Sequence, residues 1–283
     1  MVSPDAQRRG VTHLVQAKCI SQRRACQLVG AARSTVRYRR RRAADEAALV
    51  EALQQQVQRH PVYGYRPITA LLRRQGWQVN HKRVYRLWRT LGLQLPRRAK
   101  RKRRYGAAPE RLMRAEHVNH VWTYDFLHTS TERGGKLRVL AVLDEYTREC
   151  LALYVARSIS SKRVIHLLNW LFVTRGRPEY LRSDNGSEFI ARAIQMWLEE
   201  EKCQTLYIKP GSPWENPFIE SFIGKLRAEC LARYLYASAG EAQQLLEEWR
   251  NEYNDERPHS SLGYLSPSTF AASLNTTLPP TGT

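Results

Sequence analysis

The chain has 283 residues, is 42% hydrophobic and carries a formal net charge of +20. That apolar content argues against a disordered chain. The lack of any run of about 18 apolar residues, together with the polar start MVSPDAQRRG, argues against a membrane span or a secretory signal. The charge is segregated, with 26 Lys/Arg against four acids over residues 1–104 and 20 against 22 over residues 105–283, which predicts a polyanion-gripping front joined to a near-neutral catalytic body.

Residues 1–44 read as a helix-turn-helix DNA-binding module. Val11, Leu14 and Val15 form an apolar stripe on a first helix. SQRRACQLVG (21–30) follows, with Ser21 as N-cap and Gly30 as stop. RSTVRYRRRR (33–42) is a basic third helix that carries Ser34, Thr35, Arg37 and Tyr38 toward the DNA. In this plan the last helix enters the major groove. A basic hairpin that holds phosphates without reading bases would show the same pattern. Five widely scattered cysteines with no C-x-x-C pair predict free thiols in a reducing cytoplasm, and His13, Cys19 and Cys26 match no common zinc spacing.

Residues 45–95 predict a second helix-turn-helix-like module. EAALVEALQQQVQRH is a helix closed by Pro61; two more follow, split by Gly76 and ended by Gly92. Leu71, Leu72, Val84, Leu87, Trp88 and Leu91 would form its core, and His81, Lys82, Arg83 and Arg86 would face DNA. Residues 96–116 are a basic linker whose Arg101, Lys102 and Arg103 are suited to tracking phosphates.

From 117 to 273 the texture is that of an α/β core. Strands are predicted at 121–127, 137–143 and 150–156, then a buried, nearly all-round apolar helix over 160–176 capped by Ser160 or Ser161. A fourth strand leads to Asp184; Ser187 caps a helix with apolar pairs Phe189/Ile190, Ala193/Ile194 and Trp197/Leu198; CQTLYI (203–208) is a fifth strand. Asn216 and Pro217 open a helix as N-cap and N1, and a last helix spans about 240–254. Residues 274–283 read as a disordered tail. Three strands, helix, strand, helix, strand, helix is the ribonuclease-H-like order: a mixed five-stranded sheet flanked by helices.

Three carboxylates stand out in that order. Asp125 lies in an apolar strand, VWTYDFL; Asp184 follows the fourth strand; Glu220 is in the first turns of a helix. A lone buried Asp needs a partner, which a cation, a structural Arg or a backbone donor would each supply. Three acids that one fold would converge point instead to a pair of divalent cations about 3.5–4 Å apart for in-line attack on a phosphodiester. On the helix of Glu220, Gly224 and Arg227 share its face, so Arg227 meets either a phosphate or solvent. Glu188 is a rival third acid, though its place in a first helical turn suits a helix-dipole role. In the loop KPGSPWENPF (209–218), Trp214 either stacks on a base or simply packs.

WTYDF around Asp125, RSDNGSEF around Asp184, SPWENPFIESFIGKLRAEC around Glu220 and NEYNDERPHSSLGYLSP (251–267) together resemble the bacterial insertion-sequence transposases encoded in two frameshifted reading frames. Their core is similar to that of retroviral integrases, and HPVYGYRPITALLRR resembles the helix-turn-helix before it. The resemblance implies a DDE-type transposase in the bacterial cytoplasm, at the nucleoid. Asp125, Asp184 and Glu220 would bind two Mg2+ ions, for which Mn2+ can substitute. Asn185, Lys209, Trp214 and Arg227 would lie along the DNA. The implied substrates are the element's terminal inverted repeats and target DNA, held by a homo-oligomer on paired ends. The retroviral zinc-binding module and the upstream-frame heptad zipper are missing from the sequence. The chain is therefore either a second-frame product that works with an upstream-frame fusion partner or a shorter, self-sufficient relative. Two other readings remain open: a catalytically silent DNA-binding regulator, and a ribonuclease H acting on RNA–DNA hybrids.

Overall fold

Serine hydroxyls start the first two helices. Ser3 Oγ accepts from the Ala6 amide (3.2 Å) and Ser21 Oγ from the Arg24 amide (3.3 Å), satisfying N–H groups that no helical carbonyl reaches. The helices are α1 (Pro4–Lys18), α2 (Gln22–Val29) and α3 (Arg33–Arg37). The computed structural model describes residues 3–37, 45–96, 113–183, 192–208 and 216–276. The chain divides after Glu51 into two compact units.

In the first unit Gly30 ends α2 at φ +65°, a left-handed conformation that costs other residues roughly 1–2 kcal/mol. Val11, Ala25, Cys26 and Ala31 form a small core, and Arg8 Nε donates to the Thr35 carbonyl (2.9 Å), fastening α1 to α3. The basic third helix is seen over Arg33–Arg37, and Tyr38 lies outside the described residues.

The second unit begins within α4 (Glu46–Arg59) and contains α5 (Tyr65–Arg74) and α6 (His81–Thr90). Leu71, Leu72, Val84, Leu87 and Trp88 are buried as their apolar spacing predicts, and Ile68 joins them; Leu91 is only half-buried, because α6 ends before it. The sheet follows: β1 (Val121–Ser130), β2 (Lys136–Asp144), β3 (Cys150–Ala156), β4 (Tyr180–Ser183) and β5 (Gln204–Tyr207). Its order is β3-β2-β1-β4-β5, antiparallel from β3 to β1 and parallel from β1 to β5. This is the ribonuclease-H-like arrangement, with β1 at the centre.

Each face of the sheet carries its own helical layer. Leu127, Val139, Ala141 and Leu143 meet α9 (Pro217–Leu226) and α10 (Ala239–Asp255); Trp122, Tyr124, Leu140 and Val142 meet α7 (Ser161–Arg175) and α8 (Arg192–Glu200). The two-residue period of the strands sorts the side chains between the layers. Helix α7 departs from expectation: it buries Val164, Leu168, Leu171 and Phe172, but Trp170 and Val173 are 55% and 79% exposed. A single sheet face can cover only one side of it. Ser160 occupies its N-cap without a side-chain hydrogen bond. Residues Pro267–Thr276 form α11, which the polar-looking sequence did not suggest and which carries helix past the expected core boundary. No helix among the described residues is long and apolar enough to cross a membrane. Of the five thiols, Cys19 is exposed and the others are buried; burial pushes Cys203 up to about 12 and Cys230 to about 11.

Within the second unit, α4 and α5 are fastened to α10 and to the closing loop after it. Arg59 Nη2 pairs with Glu256 Oε2 (2.9 Å), and His60 Nδ1 lies 3.2 Å from Glu252 Oε1. Arg74 donates to the carbonyls of Glu256 (2.7 Å) and Tyr264 (2.9 Å), while the Arg257 guanidinium lies over Tyr63 (5.2 Å) and pairs with Glu229. His259 is 5% exposed, edge-on to Tyr253. Burial, followed by the charges of Arg257, Lys225, Arg148 and Arg74, drives its imidazole down to about 3. A histidine held neutral this way contributes stability above its unfolded value of 6.5 that is lost as pH falls toward 3. Melting temperatures should therefore drop between about pH 7 and pH 5 in the native chain. The drop should be shallower for His259→Gln; parallel curves would show that another group sets the acid limit.

Candidate active site

The strand of Asp125 and the helix of Glu220 are joined by a buried bond. Thr123 Oγ1 donates to Asn216 Oδ1 (2.7 Å), with both residues buried. Asn216 thus holds the N-cap position of α9 but makes no capping side-chain bond, contrary to the sequence expectation. Its amide oxygen is used by the sheet instead. Thr123 and Asp125 alternate with Trp122 and Tyr124, so Asp125 belongs to the β1 face that α9 covers. There Asp125 is half-buried, opposite Ala141 on β2, and its Oδ1 accepts from the Phe126 amide (2.7 Å).

Helix α9 buries Ile219, Phe222, Ile223 and Leu226 on the sheet, which turns Glu220, Gly224 and Arg227 to the exposed side, as their spacing predicts. A Cβ at Gly224 would meet nothing within 4 Å. A π-turn, Arg227–Leu231, continues the helix. One turn beyond Glu220, Lys225 Nζ donates to Ser221 Oγ (2.6 Å), and burial, with help from the Arg257 charge, lowers its ammonium to about 8.

The β2–β3 turn, Asp144–Arg148, does work that sequence reasoning missed. Asp144 Oδ1 accepts from the amides of Tyr146 (2.7 Å) and Thr147 (3.0 Å), and its Oδ2 from Asn119 (2.9 Å). The Glu145 amide donates to Val121 O at the start of β1, and its carboxylate accepts from Arg182 Nε on β4 (2.7 Å), both side chains being buried. Burial raises the Glu145 carboxyl to about 7 against the pull of Arg182. Arg148, at φ +66°, lays its guanidinium 3.8 Å over the Phe218 ring, two residues before Glu220. One turn thereby touches β1, β4 and α9. The D-x-x-T pattern marks the turn, but nothing local announces the partners of Glu145 and Arg148.

Asp125, Glu220 and Arg227 are thus placed on two elements that pack together. Asp184, Asn185, Lys209 and Trp214 lie outside the described residues; β4 is described up to Ser183, the residue before Asp184. Ser34 and Arg37 are exposed on α3, Thr35 is half-buried, and Arg37 Nε donates to Gln22 Oε1 (3.2 Å). His81 and Lys82 are exposed at the start of α6, whereas Arg83 and Arg86 are half-buried. Arg101, Lys102 and Arg103 lie outside the described residues. Elsewhere, His117, His120 and Glu179 come together within metal-ligand distance. His120 Nδ1, however, accepts from the Glu116 amide (3.0 Å), so the neutral ring carries its proton on the nitrogen that faces Glu179. That leaves too few donors for a metal there.

The chain is similar to several known proteins. The integrase core domain family matches residues 115–213 and again 201–267, and an HTH-like domain matches residues 43–106. The uncharacterized 39.2 kDa protein of insertion element IS476 from Xanthomonas euvesicatoria is 35% identical over 97% of this chain and 79% of its own length. The putative transposase InsK of insertion sequence element IS150 from Escherichia coli is 30% identical over 72% of this chain and 76% of its own. A simian T-cell lymphotropic virus intasome, solved in complex with a PP2A regulatory subunit, shares the fold at 13% identity, with a TM-score of 0.52 over 82% of this chain and 76% of its own. The chain belongs to the insertion-element transposases, DNA-binding proteins with a ribonuclease-H-like integrase core of the polynucleotidyl transferase type.

Proposed function

We propose that the chain cuts DNA at the ends of an insertion element and joins those ends to target DNA, with Asp125, Asp184 and Glu220 as a carboxylate triad for two Mg2+ ions. The Thr123–Asn216 bond carries this reading, because it fixes the helix of Glu220 against the face of β1 that bears Asp125. In sequence Asp184 directly follows β4, which is hydrogen-bonded parallel to β1. Three carboxylates are a hard-oxygen donor set, which fits Mg2+ or Mn2+ and not a softer metal. When bound, the cations would polarise the phosphoryl oxygens and offset charge on the attacking and leaving oxygens.

The protein's part is to place DNA and to hold charge. Glu220, Gly224 and Arg227 share an exposed helix face, so Arg227 is positioned to pair with a phosphate beside the scissile bond, and the bare surface at Gly224 lets the backbone approach. Hydrolysis at the element end breaks one P–O bond and leaves a 3′-hydroxyl. In joining, that oxygen forms a new P–O bond in the target while the target's own P–O3′ bond breaks. The number of phosphodiester bonds is conserved in the second step, so neither a covalent protein intermediate nor a high-energy cofactor is needed. Trp214, Lys209 and Asn185 flank the acids in sequence and are assigned to the DNA path, with Ser34, Thr35, Arg37, Tyr38, His81, Lys82, Arg83, Arg86 and the linker residues Arg101, Lys102 and Arg103 in delivery. A pair of DNA ends calls for more than one copy of the chain.

Asp125→Asn, Asp184→Asn and Glu220→Gln should each lower Mg2+-dependent nicking of element-end duplex by at least about two to three orders of magnitude with DNA binding retained. Unchanged nicking in these variants would remove the catalytic assignment, and a native chain with no nicking in Mg2+ or Mn2+ would favour the silent regulator. Gly224→Ala should raise stability by about 1 kcal/mol, since the methyl enters open space on a helix. Gly224→Leu should slow nicking without unfolding the chain, as read by melting alongside the cleavage assay. Thr123→Val leaves the Asn216 oxygen buried without its donor and should cost about 1–3 kcal/mol, measured by urea unfolding.

A further inference from the structure

Beside the contacts that fasten α5 to the closing loop lies a groove of about 420 Å3. Arg66, Thr69 and Arg73 of α5 and His81 of α6 line one side; Gly263, Tyr264 and Leu265 of the loop line the other. No acidic side chain is among the described lining residues. Among the described residues, the arginines there are oriented but bonded to no carboxylate. Arg73 Nε donates to Val79 O (2.9 Å), and Arg74 donates to the carbonyls of Glu256 and Tyr264. The carboxylate of Glu256 is taken by Arg59. Arg66 is exposed and donates to Tyr65 Oη (3.1 Å), and the side chains of Tyr65 and, from the other side of the groove, Tyr264 raise its pKa. Tyr264 is held at φ +67° by its amide bond to His259 O (2.8 Å) and by Arg74 on its carbonyl. A tyrosine kept in a left-handed conformation at a lined groove is the kind of strain that binding sites store. The groove opens at His81, where α6 begins and where the helix dipole adds positive charge.

We propose that this groove, built jointly by the helix-turn-helix and the closing loop of the catalytic unit, holds the sugar-phosphate backbone of duplex DNA while α6 faces the major groove. The duplex as ligand rests on the transposase reading; the carboxylate chemistry is not involved. Because phosphate is what the groove recognises, element-end and arbitrary duplexes should use it alike. The catalytic unit then grips DNA through the loop that closes its fold, and the helix-turn-helix delivers that DNA as part of the same body.

The test is duplex binding by the full chain in EDTA, followed by fluorescence anisotropy across a salt series, so that a failure of the catalytic reading leaves it untouched. Arg66→Ala should flatten the slope of log affinity against log salt by about 0.9, the value for one phosphate contact, on both kinds of duplex, and Arg66→Lys should restore it. Tyr264→Ala should weaken binding several-fold with a melting temperature near the native one. An unchanged salt slope in Arg66→Ala would overturn the groove as a phosphate site. A slope that changes only for element-end duplex would overturn backbone recognition. Native affinity in Tyr264→Ala would overturn the contribution of the catalytic unit.

Discussion

The buried pair between Glu145 and Arg182 is the constraint around which the core is arranged. Removing two charges from water costs several kcal/mol per ion, and attraction in the interior offsets this only with good geometry and further hydrogen bonds. Here the geometry is supplied from outside the pair. Asp144 organises the turn with three amide bonds, the Glu145 amide is held by Val121 O, and the far side of Arg182 donates to Met113 O. The result joins the end of β2 to β4 independently of the sheet's own ladder. Losing either partner would leave an uncompensated charge beside the strand that leads to Asp184.

Much of this plan is legible in the sequence because it rests on local periodicity. The two-residue alternation of VWTYDFL fixes which layer each side chain of β1 joins, and the four-residue recurrence of Phe218, Phe222 and Leu226 fixes which side of α9 is left for Glu220, although Phe218 is only partly buried and Ile219 and Ile223 complete the buried face. What local pattern cannot show is a partner far along the chain. Asn216 looks like a helix cap, and only the fold reveals that its oxygen is used by Thr123, 93 residues away. The apolar helix α7 reads as buried all round, yet the sheet covers one side, because hydrophobicity reports composition and not the number of available partners. Helix α11 escaped notice for the opposite reason: its small and polar residues carry little periodic signal.

The charge split also acquires a structural meaning. Acids and bases nearly balance after residue 104, but they are not evenly placed: Arg257, Lys225 and Arg148 converge on His259, where their charges add to the burial that keeps it neutral. The near-neutral body thus conceals a cationic cluster at the base of α9, partly answered by Glu229 and Glu145. A helix that presents a carboxylate on one side is flanked by positive charge from beneath.

The cysteines carry a practical corollary. Four thiols are shielded by burial, while Cys19 stands exposed just after α1 at φ 48°. A thiol reagent applied to the native protein therefore meets one open address, in the first unit and far in sequence from the three acids. A dye placed there would report on the first three helices without touching the unit that carries the three acids.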